Sequence, residues 1–134
     1  MPSQVIVVPG KPIAKGRPRF TKIGNFVKVY SPQAKEEKEI TKEIRSQWRL
    51  KPLDCPVIVS MDFLMPITQA SKKAVASMLS GATKHTKKSD IDNMIKLYMD
   101  CMTGVVYKDD SQVYEVEANK AFGQVPETII RVIW

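Results

Sequence analysis

Cysteine and histidine are scarce in this sequence: Cys55, Cys101 and His85 are all that 134 residues contain. Two thiols without metal-ligand spacing provide neither a disulfide framework nor a zinc site, so free cysteines in a reducing cytoplasm are expected. One histidine, set among lysines and without a partner nucleophile, leaves Ser–His and Cys–His catalysis without a base and suits a phosphate contact at most. Long apolar runs are also missing. Val5 to Val8 is followed at once by Pro9-Gly10, too brief for a signal peptide or a membrane span, which predicts a soluble cytoplasmic protein with no membrane partner. No organic cofactor is expected. Repeats, low-complexity tracts and long linkers are absent too, so residues 1–134 should form one domain. With 43% hydrophobic residues, a chain of this length removes roughly two thirds of its unfolded surface from water and folds without staples.

Acidic residues are absent from the first 35 positions, which hold Lys11, Lys15, Arg17, Arg19, Lys22, Lys28 and Lys35. A second acid-free block carries Lys72, Lys73, Lys84, Lys87 and Lys88. From residue 90 the character reverses, with Asp90, Asp92, Asp100, Asp109, Asp110, Glu115 and Glu117. The net charge is +7, and segregation of this kind suits a surface that binds a polyanion while presenting carboxylates at one place on it. Lysines and arginines on hairpins and loops follow phosphates without reading bases. Lys15, Arg17, Arg19, Lys22, Lys84, Lys87 and Lys88 are the candidates for DNA contact. A solvated basic face is the bland alternative.

Patterning predicts a strand at residues 3–8 and a hairpin formed by Arg17–Lys22 and Asn25–Tyr30 around Ile23-Gly24. Ser31 is placed to cap a helix that has Pro32 at its first position and runs to about Leu50, with Ile40, Ile44 and Trp48 on one stripe. Pro56–Met65 alternates apolar and other residues with the period of a half-buried strand. Ser71 caps, and Gly81 ends, a short helix. Residues 82–89 read as a basic polar loop. Asp90–Met102 is helical by its apolar spacing, although Met94, Leu97 and Cys101 spread that face so far that the helix must be buried on more than one side, in the monomer core or at a subunit interface. Strands at about Gln112–Phe122 and Thr128–Trp134 flank a turn. The expected architecture is a single small α+β domain, with a mixed or antiparallel sheet and an amino-terminal hairpin packed against about three helices.

The octapeptide Ser89-Asp-Ile-Asp-Asn-Met-Ile-Lys96 sits where the basic loop gives way to that helix. Asp at a helix start can simply cap it and oppose its dipole. Asp92 and Lys96 are four apart and share a face, and Asp100 continues the line. An exposed ion pair of this type is worth only about 0.3–0.5 kcal/mol, so stability gives little reason for the arrangement. Two neighbouring carboxylates are better explained by a cation between them. Oxygen-only ligands suit Mg²⁺, with Mn²⁺ as a substitute, held by one or two carboxylates together with water and substrate phosphate. A further ligand is offered by Asp109 or Asp110, in a polar turn just before a strand. Carboxylate-bound divalent ions are a known way to hydrolyse phosphodiesters, and Lys96 would add fixed positive charge near the phosphate.

Together, D-x-D-N-x-x-K on a helix and the later Y-K-D-D-S-Q-V resemble the RusA-type Holliday junction resolvases. The likeness is firmest from Ser89 to Val113 and extends more loosely to the basic stretch Lys11–Phe20. It implies Asp90, Asp92 and Asp110 as catalytic metal ligands, Lys96 as a basic residue needed for cleavage, and Asn93 as a holder of local geometry. It further implies a small homodimeric enzyme, of a kind often found in phage or prophage genomes. Such an enzyme nicks four-way DNA junctions symmetrically during recombination and repair. A C₂ dimer would present two acidic centres to two symmetry-related strands. The rival expectation is a non-catalytic basic nucleic-acid-binding module whose aspartates are only caps and turn residues.

Overall fold

The computed structural model describes residues 1–17, 19–30 and 32–134. Strands β1 (Ser3–Pro9), β4 (Val57–Pro66), β5 (Val113–Gly123) and β6 (Glu127–Ile133) form a sheet in the order β1–β6–β4–β5. Strands β2 (Arg19–Ile23) and β3 (Phe26–Tyr30) form a separate antiparallel hairpin. The helices are α1 (Ala34–Gln47), α2 (Lys72–Ser80) and α3 (Ile91–Met102). The expected α+β class, mixed sheet, amino-terminal hairpin and three helices are all found.

Alternation in β4 places Val57, Val59, Met61, Phe63 and Met65 on the buried face, as its sequence period predicts. Ile6 and Val8 from β1, Ile130 and Val132 from β6, and Ile40 and Ile44 from α1 complete that layer with the apolar side of α3. The broad apolar face of α3 is consumed within this core, since Met94, Leu97, Tyr98, Cys101 and Met102 are all buried. Cys101 and the partly buried Cys55 are free thiols, and burial pushes the Cys101 thiol above its ordinary pKa.

Connectivity departs from the simplest reading of the sequence. Strands β5 and β6 are neighbours in the chain but not in the sheet, because β4 lies between them, parallel to β5 and antiparallel to β6. Gly123, where the chain leaves β5, is packed so tightly that a Cβ there would come within 2.9 Å of Leu64 Cβ. Helix α1 begins at Ala34 with Gln33 at its cap position and ends at Gln47, short of the expected Pro32 and Leu50. The expected cap, Ser31, lies outside the described residues. Trp48 leaves the helix with extended backbone, and its indole meets Trp134 edge-on at 5.5 Å. The hairpin turn is Gly24–Asn25, one residue later than expected. Gly24 has φ +59, which suits the first central position of a tight hairpin turn, and Ile23 pairs directly with Phe26. Ser71 accepts from the Ala74 N–H, and Gly81 ends α2 at φ +84, both as predicted.

Candidate active site and nucleic-acid interface

Asp90 occupies the cap position of α3, where its carbonyl accepts from the Met94 N–H at 3.1 Å. Its side chain makes no capping bond. Asp92 stands in the first turn, Lys96 one turn further, and all three side chains are exposed. None of them has a hydrogen-bond or ion-pair partner among the described residues. Capping therefore does not account for the Asp90 carboxylate, and Lys96 does not neutralise Asp92. Two acids and a base are left facing solvent at one end of a helix whose opposite side is core.

Lys120, which the sequence reading did not single out, fixes the approach to that helix. It lies on β5 opposite Phe63 of β4, and its ammonium donates to the carbonyls of Lys87 and Ser89 at 2.8 Å each. The loop immediately before Asp90 is thereby tied to the sheet. Only the strand register brings Lys120 here, so no local motif could have revealed it. On the other flank, the Lys15 N–H donates to the Asn93 carbonyl at 3.0 Å, and the Ile13 N–H to the Tyr98 hydroxyl at 3.3 Å. Asn93 thus helps dock the amino-terminal arm through its backbone. The Lys15 ammonium bridges Asp100 at 2.9 Å and Glu37 at 3.2 Å, and this pairing, chiefly with Asp100, raises its pKa. As a DNA-contact candidate Lys15 is already neutralised within the chain.

The two acids of the 109–110 turn have separate duties. Asp109 caps a single 3-10 turn, Asp110–Gln112, by accepting from the Ser111 N–H at 3.3 Å, while Gln112 accepts from the Asp109 N–H at 2.8 Å. Gln112 also donates to the carbonyls of Leu53 and Cys55. Bonding to Ser111 lowers the Asp109 pKa. Asp110 is exposed, and its pKa is raised, first by its hydrogen bond with Asp109, then by desolvation and by the nearby charges of Asp109 and Asp100. The turn thus lies beside the carboxyl-terminal part of α3, within the field of Asp100. Asp90 is ten residues back along that helix, roughly 15 Å at 1.5 Å per residue.

Arg17, Arg19, Lys22, Lys84, Lys87 and Lys88 are all exposed. Lys87 also reaches the Thr68 hydroxyl at 3.4 Å. His85, for which a phosphate contact was the most the sequence offered, is turned inward. It is 9% exposed and lies against Phe122 at 4.9 Å. Burial, with the charges of Lys120, Lys87 and Lys11, holds its pKa below the usual histidine value, so at neutral pH it serves as a packing residue. A cleft of about 510 Å³ between α1 and the end of β1 is lined by Glu36, Glu39, Ile40 and Tyr98 among others. It includes none of the α3-head acids, and its lining mixes Glu36, Glu39 and Glu43 with Lys11 and Lys42.

The family model for Endodeoxyribonuclease RusA matches residues 9–133. The chain belongs to the RusA endodeoxyribonuclease family. A relative from Bacillus subtilis (strain 168), the uncharacterized protein YqaN, is 31% identical over 131 residues, covering 92% of each chain. RusA membership implies nuclease activity of the Holliday-junction-resolving kind, and the family acts on branched DNA junctions. Among the described residues no helix is long and apolar enough to cross a membrane.

RusA-type resolvases generally use divalent metals. Exposed carboxylates with no internal partner have the right chemistry for a hard, water-retaining cation. Among the described residues, however, no three His, Cys, Asp or Glu side chains gather as a ready set of ligands. The fit is to an open site of one or two carboxylates that relies on water and phosphate, and not to a closed protein cage.

Proposed function

We propose that this RusA-family protein is a Mg²⁺-dependent, structure-selective DNA endonuclease that resolves four-way junctions by paired nicks in recombination and repair. The carrying observation is the head of α3, where Asp90 and Asp92 are exposed on the same helix as Lys96 and neither carboxylate has a hydrogen-bond or ion-pair partner among the described residues. Asp90 and Asp92 are the primary ligands, and Asp110 joins them as a third carboxylate only if metal and DNA draw the 109–110 turn toward the α3 head. A bound divalent ion supplies an activated water, charge neutralisation at the phosphate and stabilisation of the leaving oxygen. Lys96 provides a fixed positive charge for the developing phosphate charge. Arg17, Arg19, Lys22, Lys84, Lys87 and Lys88 hold the backbone of the arms, which makes binding strongly salt-dependent. A homodimer places two such centres on two symmetry-related strands.

Asp92→Asn should abolish nicking of a synthetic four-way junction while junction binding remains close to wild type. Unchanged cleavage would exclude the assigned site. The open arrangement of the carboxylates gives the second reading, a non-catalytic binding module, its one point in favour. In that case wild-type protein with Mg²⁺ or Mn²⁺ shifts junctions in a gel and leaves them uncut.

A further inference from the structure

The hairpin carries far more apolar surface than a solvated loop requires. Every residue of β2 and β3 is exposed, including Phe20 at 69%, Ile23 at 62% and Phe26 at 81%. Neither strand joins the four-stranded sheet. A lone two-stranded ribbon is marginal in water, so a surface of this composition points to a partner that orders it.

Charge identifies that partner. The hairpin's ionised side chains, Arg19, Lys22 and Lys28, are all cationic, and the first acid of the chain is Glu36. Packing one hairpin on the same hairpin of a second copy would bring like charges together. The register alternates the cations between both faces: Arg19 pairs with Tyr30, Thr21 with Lys28 and Lys22 with Val27. At the tip Ile23 and Phe26 pair across the narrow Gly24–Asn25 turn, with no charge between them. Cations along two edges and an apolar end match a ligand that is anionic outside and apolar within, which describes stacked bases between phosphates.

We propose that the tip residues Ile23 and Phe26 form a wedge that enters the base stack at the branch point of DNA, while Arg19, Lys22 and Lys28 contact the flanking phosphates. This rests on the reading of the protein as a branched-DNA binder. Opening a linear duplex costs a few kcal/mol per unstacked step. At a branch point the terminal pairs already lack a continuous neighbour, so the same insertion costs less. The wedge therefore contributes selectivity for branched structure without reading sequence.

Full-length protein is titrated in EDTA onto junctions carrying 2-aminopurine either at the branch point or within an arm. Wild type should raise fluorescence at the branch point only. Phe26→Ala should lose that rise and bind the junction roughly tenfold more weakly, in line with one lost stacking contact, while linear-duplex affinity stays within about twofold. Phe26→Trp should retain the signal, which separates loss of the wedge from loss of the hairpin. A branch-point rise that is absent in wild type or persists in Phe26→Ala overturns the proposal. Equal weakening on junction and duplex does so too, as does a Phe26→Ala shift from dimer to monomer in sedimentation, which would make the tip a contact between copies. Because EDTA prevents cleavage, failure of the nuclease reading appears separately, as uncut junctions in Mg²⁺ with the fluorescence rise intact.

Discussion

Helix α3 and the β2–β3 hairpin are both rich in large apolar residues interspersed with charge, yet one is sunk in the core and the other stands wholly in solvent. In α3 the apolar residues share a wide arc that the sheet and α1 cover, so the ionised residues are left on the outer side. In the hairpin a period of two places apolar and basic residues on both faces, and no core could accept either face without burying a cation. The helix uses its apolar residues to hold carboxylates in place. The hairpin presents its apolar residues outward, in a sheet of its own.

The same substitution in the two regions tests that contrast most directly. Phe63 is fully buried on β4, and Phe63→Ala should cost about 3–5 kcal/mol through lost burial and the cavity left behind. Phe26→Ala should change global stability by no more than about 0.5 kcal/mol. Urea unfolding of both variants checks this. A cost above about 2 kcal/mol for Phe26→Ala would mean that the hairpin folds as part of the core, which is not compatible with its exposure.

The contrast also explains what could be read from the sequence. Strand β4 was legible because one buried face imposes strict alternation on its residues, and α2 because Ser71 and Gly81 are local start and stop chemistry. The burial of α3 was legible from the breadth of its apolar face, although the sequence left open whether core or a second subunit covers it. Strand order was not, since β5 and β6 read as consecutive strands across a short turn and nothing local records that β4 lies between them. The roles of His85 and Lys120 were hidden for the same reason: a histidine among lysines looks solvated until Phe122 is brought against it. At the candidate site, the motif pointed to Asp90, Asp92 and Lys96, which the structure shows exposed, whereas the capping role that distinguishes Asp109 from Asp110 became visible only in the structure. The relation between the α3 head and the 109–110 turn depends on tertiary placement that spacing does not encode.

A smaller effect is expected where the sheet supports the α3 head. Lys120→Met removes the donor to two loop carbonyls and should lower stability by about 1–2 kcal/mol. Its local signature is faster amide exchange at residues 87–90, with core strands exchanging as in wild type apart from the global change. Protection unchanged at those amides would show that the loop is held by other contacts. Cleavage should fall more than junction binding, because Lys120 holds the loop that leads into Asp90 and leaves the arginines proposed to contact phosphate untouched.

The smallest effect belongs to the link between the basic arm and α3. Lys15 is partly exposed, so its bridge to Asp100 and Glu37 is screened, and Lys15→Met should cost only about 0.5–1 kcal/mol near neutral pH. The pH dependence gives this small number its meaning. Because the Lys15 pKa is raised above the ordinary 10.5, its contribution is fully present below that value and is lost as pH rises through the folded-state pKa. The difference between wild type and Lys15→Met in urea should therefore be flat from pH 7 to about 9.5 and shrink above about 10.5. A difference that persists undiminished at the alkaline end would assign the effect to packing of the lysine stem. The arm would then be held to α3 by the Ile13 and Lys15 backbone bonds, with the ion pair contributing nothing.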